Sequence, residues 1–123
     1  VKHFDPDTLI VKTYADVDSE AHRFGAALRQ EGLVPAPEVA TLDPLTTPCS
    51  IAIFENTCSE WMIAALGAFS QSIIVATIYN TLGMDAVVSV VQDGETSDIV
   101  CNKKIVRRIL LEADNMKSLK IDV

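Results

Sequence analysis

Apolar residues recur at two different spacings along this chain. Val17, Ala21, Phe24 and Leu28 return every three or four positions, which sets them on one face of a helix. Thr13 precedes that stripe, where its hydroxyl can accept from the unpaired amides of a first turn, and Gly32 follows it, where a left-handed stop is expected. Beyond Ser50 the rhythm shortens. Ile51–Phe54 reads as a buried strand, Thr57-Cys58-Ser59-Glu60 has the form of a capping box, and Glu60–Phe69 reads as a helix apolar nearly all round, needing cover on more than one side. Ile73–Ile78 reads as a second buried strand that opens on β-branched residues. Met84–Gln92 is contested: four valines favour a strand, while Asp85 near its start and Gly94 past its end favour a helix, the reading adopted. Asp98–Cys101 is a third strand. Lys103–Asn115 is a helix with Ile105, Ile109, Leu110 and Ala113 inward, and Leu119–Val123 begins a fourth strand.

Strands that alternate with helices and are apolar on both faces predict an α/β fold, a doubly wound (flavodoxin-like) parallel sheet with helices on both faces. Pro35, Pro37, Pro44 and Pro48 break the region before it into a loop, since proline lacks an amide donor and interrupts helices. The predicted organisation is an opening amphipathic helix over 1–34, a Pro-rich loop over 35–49, and a βαβαβαβ half-sheet over 50–123, all in one truncated domain. The chain opens on Val1 with no basic stretch ahead of an apolar run, and it stops at a strand-like beginning, so no signal peptide is predicted and both ends read as cut.

Composition narrows the function. A chain of 123 residues, 49% hydrophobic, can build a core and has apolar surface to spare for a neighbour. A net charge of -7 argues against nucleic-acid binding, and the one dense basic cluster, Lys103, Lys104, Arg107 and Arg108, falls at helical spacing and reads as a solvated face. The run from Trp61 to Met84 carries no charge and has the length of a bilayer crossing, but Ser70-Gln71-Ser72 interrupts it, so it reads as helix, turn and strand. Cys49, Cys58 and Cys101 are odd in number and widely spaced, which fits reduced intracellular thiols, in the cytoplasm or peripheral on a membrane. His3 and His22 have no companions at ligand spacing.

In a doubly wound sheet ligands bind beyond the carboxyl ends of the strands. Those ends carry Glu55-Asn56-Thr57, Tyr79-Asn80-Thr81 and Asn102-Lys103, a rim of amides and hydroxyls with one ammonium, readable as an anion cradle or as ordinary helix caps. The loop from Glu55 to Glu60 holds no glycine for a dinucleotide fingerprint, and a GxxxxGK[ST] loop is absent from the sequence. Thr57 and Ser59 match a flavin loop weakly, and Glu55 without an acidic partner does not make a phosphoacceptor site. The residues by themselves identify no catalytic, cofactor-binding or metal-binding position.

Their wording does resemble a family. Ile51–Thr57 followed by Ser59–Ala65 is similar to the "VAIFAET-x-x-EWMIAA" segment of long-chain acyl-CoA synthetases, and Ala76–Gly83 to their "ATVYATLG". Thr13-Tyr14 with a helix ending at Gly32-Leu33 resembles the opening of adenylate-forming enzymes, and Glu95-Thr96, Asp98-Ile99-Val100 and Lys103 resemble "NETE…IIT-x-KE". The resemblance implies part of the large N-terminal domain of an enzyme that uses ATP and magnesium to form an acyl-adenylate from a fatty acid, which coenzyme A then converts to acyl-CoA. It also implies that the phosphate loop, adenine motif, magnesium glutamate and mobile lysine lie downstream. The piece is therefore expected to be inactive alone and to bind none of these cofactors. Its expected partners are the rest of the parent chain, or further copies of itself through exposed apolar surface. Trp61 invites a role in an acyl tunnel, against which stands the commoner reading of a core aromatic. The alternative is a free-standing doubly wound binding or interaction module with no catalytic activity.

Overall fold

The computed structural model describes residues 11–33, 49–94, 96 and 98–116. Most of the Pro-rich loop, the strand over Leu119–Val123, Glu95 and His3 lie outside the described residues.

Helix α1 (Tyr14–Gln30) begins on Thr13 in a full capping box: the Asp16 amide donates to Thr13 Oγ1 at 3.1 Å and the Thr13 amide to Asp16 Oδ2 at 2.8 Å. It ends on Gly32 at φ +78°, where the Gly32 amide returns to Arg29 O and the Leu33 amide to Leu28 O, both at 3.1 Å. Leu28 and Leu33, the pair that closes such a stop, are both buried.

Strand β1 (Ser50–Phe54) is buried throughout. Helix α2 (Ser59–Ser70) starts on Cys58, and the predicted capping box at Thr57–Glu60 is not made. The extended residue is Cys58, so Thr57 lies one position too early, and Ser59 Oγ instead donates to Glu60 Oε2 at 2.9 Å. The end of α2 repeats that of α1 with a serine in the left-handed position: Ser72 has φ +58°, and the Ile73 amide reaches Ala68 O at 3.0 Å.

The remaining elements are β2 (Ile74–Ile78), α3 (Met84–Asp93), β3 (Asp98–Cys101) and α4 (Lys103–Leu111), the last followed by a 3₁₀ turn over Ala113–Asn115. The contested valine segment is the helix α3. Gly94 ends it at φ −83°, outside the left-handed region; what it lacks is room, since a Cβ there would lie 3.0 Å from both Thr96 Oγ1 and Val90 O.

The sheet is parallel, in the order β2-β1-β3, with Ile51 opposite both Val75 and Asp98. Alternation along β1 separates two cores. Ile51 and Ile53 meet Leu28, Ala64, Ala65 and Ala68 on one face, while Ala52 and Phe54 meet Val87, Val91, Ile105 and Ile109 on the other. Each large β1 side chain so buried contributes about 1.5–3 kcal/mol. Helices thus cover both faces of the described sheet, as a doubly wound fold requires.

Two readings change. Strand β2 is not buried along its length: it stands at one edge of the described sheet with Ile74 and Thr77 exposed. Leu110 does not turn inward, because Ile105 and Ile109 alone occupy the inner face of α4.

Helices α1 and α2 touch backbone to backbone at Gly25 and Gly67. A Cβ on Gly67 would fall 2.7 Å from Ala21 O, and one on Gly25 2.8 Å from Gly67 O. No described helix is long and apolar enough to cross a membrane.

Candidate functional site

Strand order decides where a site can form. The chain leaves β1 for α2 on one face and leaves β3 for α4 on the other, so the loops after these neighbouring strands diverge and open a crevice. A cleft of about 390 Å³ lies there. Ile53, Val100 and Trp61 give its apolar lining, and Glu55, Glu60 and Asn102, with the thiols of Cys58 and Cys101, its polar part. Trp61 packs against the core, the commoner of the two readings weighed for it, and its outer part lines the cleft.

Polar groups of the predicted rim are brought together, mostly to satisfy one another. Asn102 Nδ2 donates to Glu55 Oε2 at 2.6 Å, and the other Glu55 oxygen accepts from the Asn56 amide at 2.8 Å. Asn102 Oδ1 in turn accepts from the amides of Lys104 and Ile105, which caps α4. Asn80 Nδ2 reaches Asn56 Oδ1 at 3.4 Å, linking the loops after β1 and β2. Lys103, Thr57, Tyr79 and Thr81 are exposed.

Electrostatics run against an anion cradle. Glu60 is held below the usual carboxylate range by its own backbone amide first, then by the Ser59 hydroxyl and the Cys58 side chain. Its carboxylate places negative charge in the first turn of α2, while Asn102 caps the positive end of α4. Burial, and secondarily the Glu55 carboxylate, pushes the Cys101 thiol up, so Cys101 is a poor nucleophile at neutral pH. No group of three or more His, Cys, Asp or Glu among the described residues is placed to hold a metal ion, and His22 lies on the exposed face of α1, its Nδ1 2.8 Å from Asp18 O.

The Glu55–Asn102 bond was missed by sequence reasoning although both residues were named. Its signal is topological: it follows only once β3 is set beside β1.

A family model described as "AMP-binding enzyme" matches residues 5–122. The chain belongs to the AMP-binding enzyme family. Among its relatives, "Long-chain-fatty-acid--CoA ligase 1" of Cavia porcellus is 33% identical over 82% of this chain and 13% of its own length. "Long chain acyl-CoA synthetase 8" of Arabidopsis thaliana is 36% identical over 57% of this chain and 10% of its own. The chain thus spans only about a tenth to a sixth of the curated relatives it matches. Among solved structures, an anthranilate CoA ligase in complex with anthranoyl-AMP superposes with a TM-score of 0.75 at 18% identity, over 93% of this chain and 19% of that one. The N-terminal domain of FACL13 from Mycobacterium tuberculosis gives 0.73 at 17% identity, over 94% and 27%. At such identities the AMP-binding family's structures attest the fold: a parallel sheet with helices, matching the N-terminal region of these enzymes.

Proposed function

We propose that this chain is an N-terminal part of an ATP-dependent long-chain fatty-acid–CoA ligase, and that alone it is catalytically inert. One observation supports this above the others: the family match covers nearly the whole chain, while the long-chain relatives it resembles are several times longer. The reaction assigned to the parent joins a fatty-acid carboxylate to AMP with release of diphosphate. The thiol of coenzyme A then displaces AMP.

The residues of the cleft do not fit ATP and magnesium. A triphosphate needs cations or free backbone amides, whereas this lining contains Glu55 and Glu60, no Lys or Arg, and an α4 end already capped by Asn102. No catalytic, cofactor-binding or metal-binding residue is assigned to the chain. Its role is a half-sheet against which the remainder of the parent packs. An intracellular setting, cytoplasmic or peripheral on a membrane, fits the three free thiols.

Incubating the purified chain with ATP, magnesium, coenzyme A and palmitate tests both halves of the reading. The expected result is no palmitoyl-CoA from this chain and robust formation from a reading frame extended past Val123. Turnover by the chain alone overturns its inertness, and an extended frame that makes no acyl-CoA from any long-chain acid overturns the assigned reaction.

A further inference from the structure

Charge is segregated along this chain. No Lys or Arg occurs from Ser50 to Asn102, whereas α4 holds Lys103, Lys104, Arg107 and Arg108 and no Asp or Glu. All four cations are exposed, and among the described residues none lies within salt-bridge distance of a carboxylate. The arrangement works against the helix that carries it. Lys103 and Lys104 occupy the first turn, where the macrodipole disfavours positive charge. Lys103 with Arg107, and Lys104 with Arg108, are like-charge pairs one turn apart.

The same helix leaves apolar side chains in water. Ile105 and Ile109 anchor it to the core, but Val106, Leu110 and Leu111 are exposed, Leu111 by 78%. At about 100° per residue, Val106 and Leu110 form a strip bordering the cations and Leu111 falls among them. A solvated face needs none of these three.

We propose that the outward face of α4 docks on an anionic lipid surface. Lipid phosphates and carboxylates reverse the sign of both electrostatic penalties. The headgroup–acyl boundary takes up Val106, Leu110, Leu111 and the aliphatic stems of the four basic side chains. A nucleic acid would use the cations but has no general use for an aliphatic strip. Glu112 and Asp114 follow the helix directly but lie outside salt-bridge distance of its four cations, and more distant carboxylates are largely screened at physiological salt. This inference does not depend on the ligase reading, since it concerns where the chain sits.

Vesicle co-sedimentation of the full chain tests it, using phosphatidylcholine alone and phosphatidylcholine mixed with phosphatidylserine, at low and high salt. Binding is expected to the mixed vesicles only, and to weaken with salt. Neutralisation in Lys104→Gln/Arg108→Gln should weaken it about fivefold per cation, and Lys104→Glu/Arg108→Glu further. Because these side chains hold no partner among the described residues, circular dichroism should show the fold intact. Arg23→Glu/Arg29→Glu makes the same change of charge on α1 and should bind as the parent does. The proposal fails if the parent chain does not bind phosphatidylserine vesicles, or is retained only on heparin or RNA. It fails equally if the α4 variants bind normally, or if the α1 variant loses as much.

Discussion

Gly67 and Gly32 are the same residue used for opposite reasons. A Cβ on Gly32 meets nothing within 4 Å, and its glycine is required by φ +78° alone. Gly67 has ordinary helical geometry, but Ala21 O and Phe24 Cδ1 lie 2.7 and 2.9 Å from where its Cβ would be. Gly67→Ala is therefore expected to force α1 away from α2, at a cost of about 1–3 kcal/mol, seen as a lower urea midpoint at unchanged slope. Gly32→Ala costs about 1 kcal/mol through the left-handed backbone alone. Asp16 makes a prediction in pH. The Thr13 amide, then the Thr13 hydroxyl, hold its carboxyl below the usual range. A lowered folded-state pKa means that the unfolded chain takes up the proton first. The stabilisation is complete above the ordinary Asp value of about 4 and is lost as pH falls through the folded one. Thermal unfolding should show Asp16→Asn less stable than the parent at neutral pH, with the gap closing in acid.

At the scale of elements, Asn102 joins three: it ends β3, caps α4 and holds the Glu55 carboxylate that follows β1. Asn102→Ala should cost about 1–2 kcal/mol from the cap, and more with Glu55 left without its donor. Asn102→Asp keeps the cap but sets two carboxylates together, so its deficit in urea unfolding should shrink as pH is lowered. Most elements were legible because each carries its own local signal. The stripe from Val17 to Leu28 gave α1, and Asp85 with the later glycine outweighed four valines in α3. What failed were matters of one residue or one neighbour. The start of α2 shifted from Thr57 to Cys58, and Leu110 lost its inward place because two isoleucines suffice to anchor α4. The exposure of β2 depends on having β1 on one side only, which no local pattern records.

Across the whole molecule, apolar surface remains uncovered on the other side of the sheet from α4. Met62, Leu66 and Phe69 follow one another at helical spacing on α2, with Phe69 60% exposed, and Ile74 on β2 is also exposed. A hydrophobic dye should bind the purified chain, and sedimentation should show association rising with concentration; Met62→Ser/Phe69→Ser should reduce both. The residues of the strand-end rim were legible, since the doubly wound pattern says where strand ends go. That they satisfy each other, with Asn102 filling the α4 helix end, was not, because it needs the distance between the β1 and β3 loops.

The central place of β1 has a cost in time. Its partners are Ile74–Ile78 and Asp98–Cys101, so both are synthesised after it. As the chain leaves the ribosome, Ser50-Ile51-Ala52-Ile53-Phe54 emerges uncharged, strand-prone and without either flank. Its first flank, β2, follows at Ile74–Ile78, but its second, β3, comes only at Asp98–Cys101. A charge placed in those five residues would protect the nascent chain only by destroying the sheet it is waiting to join.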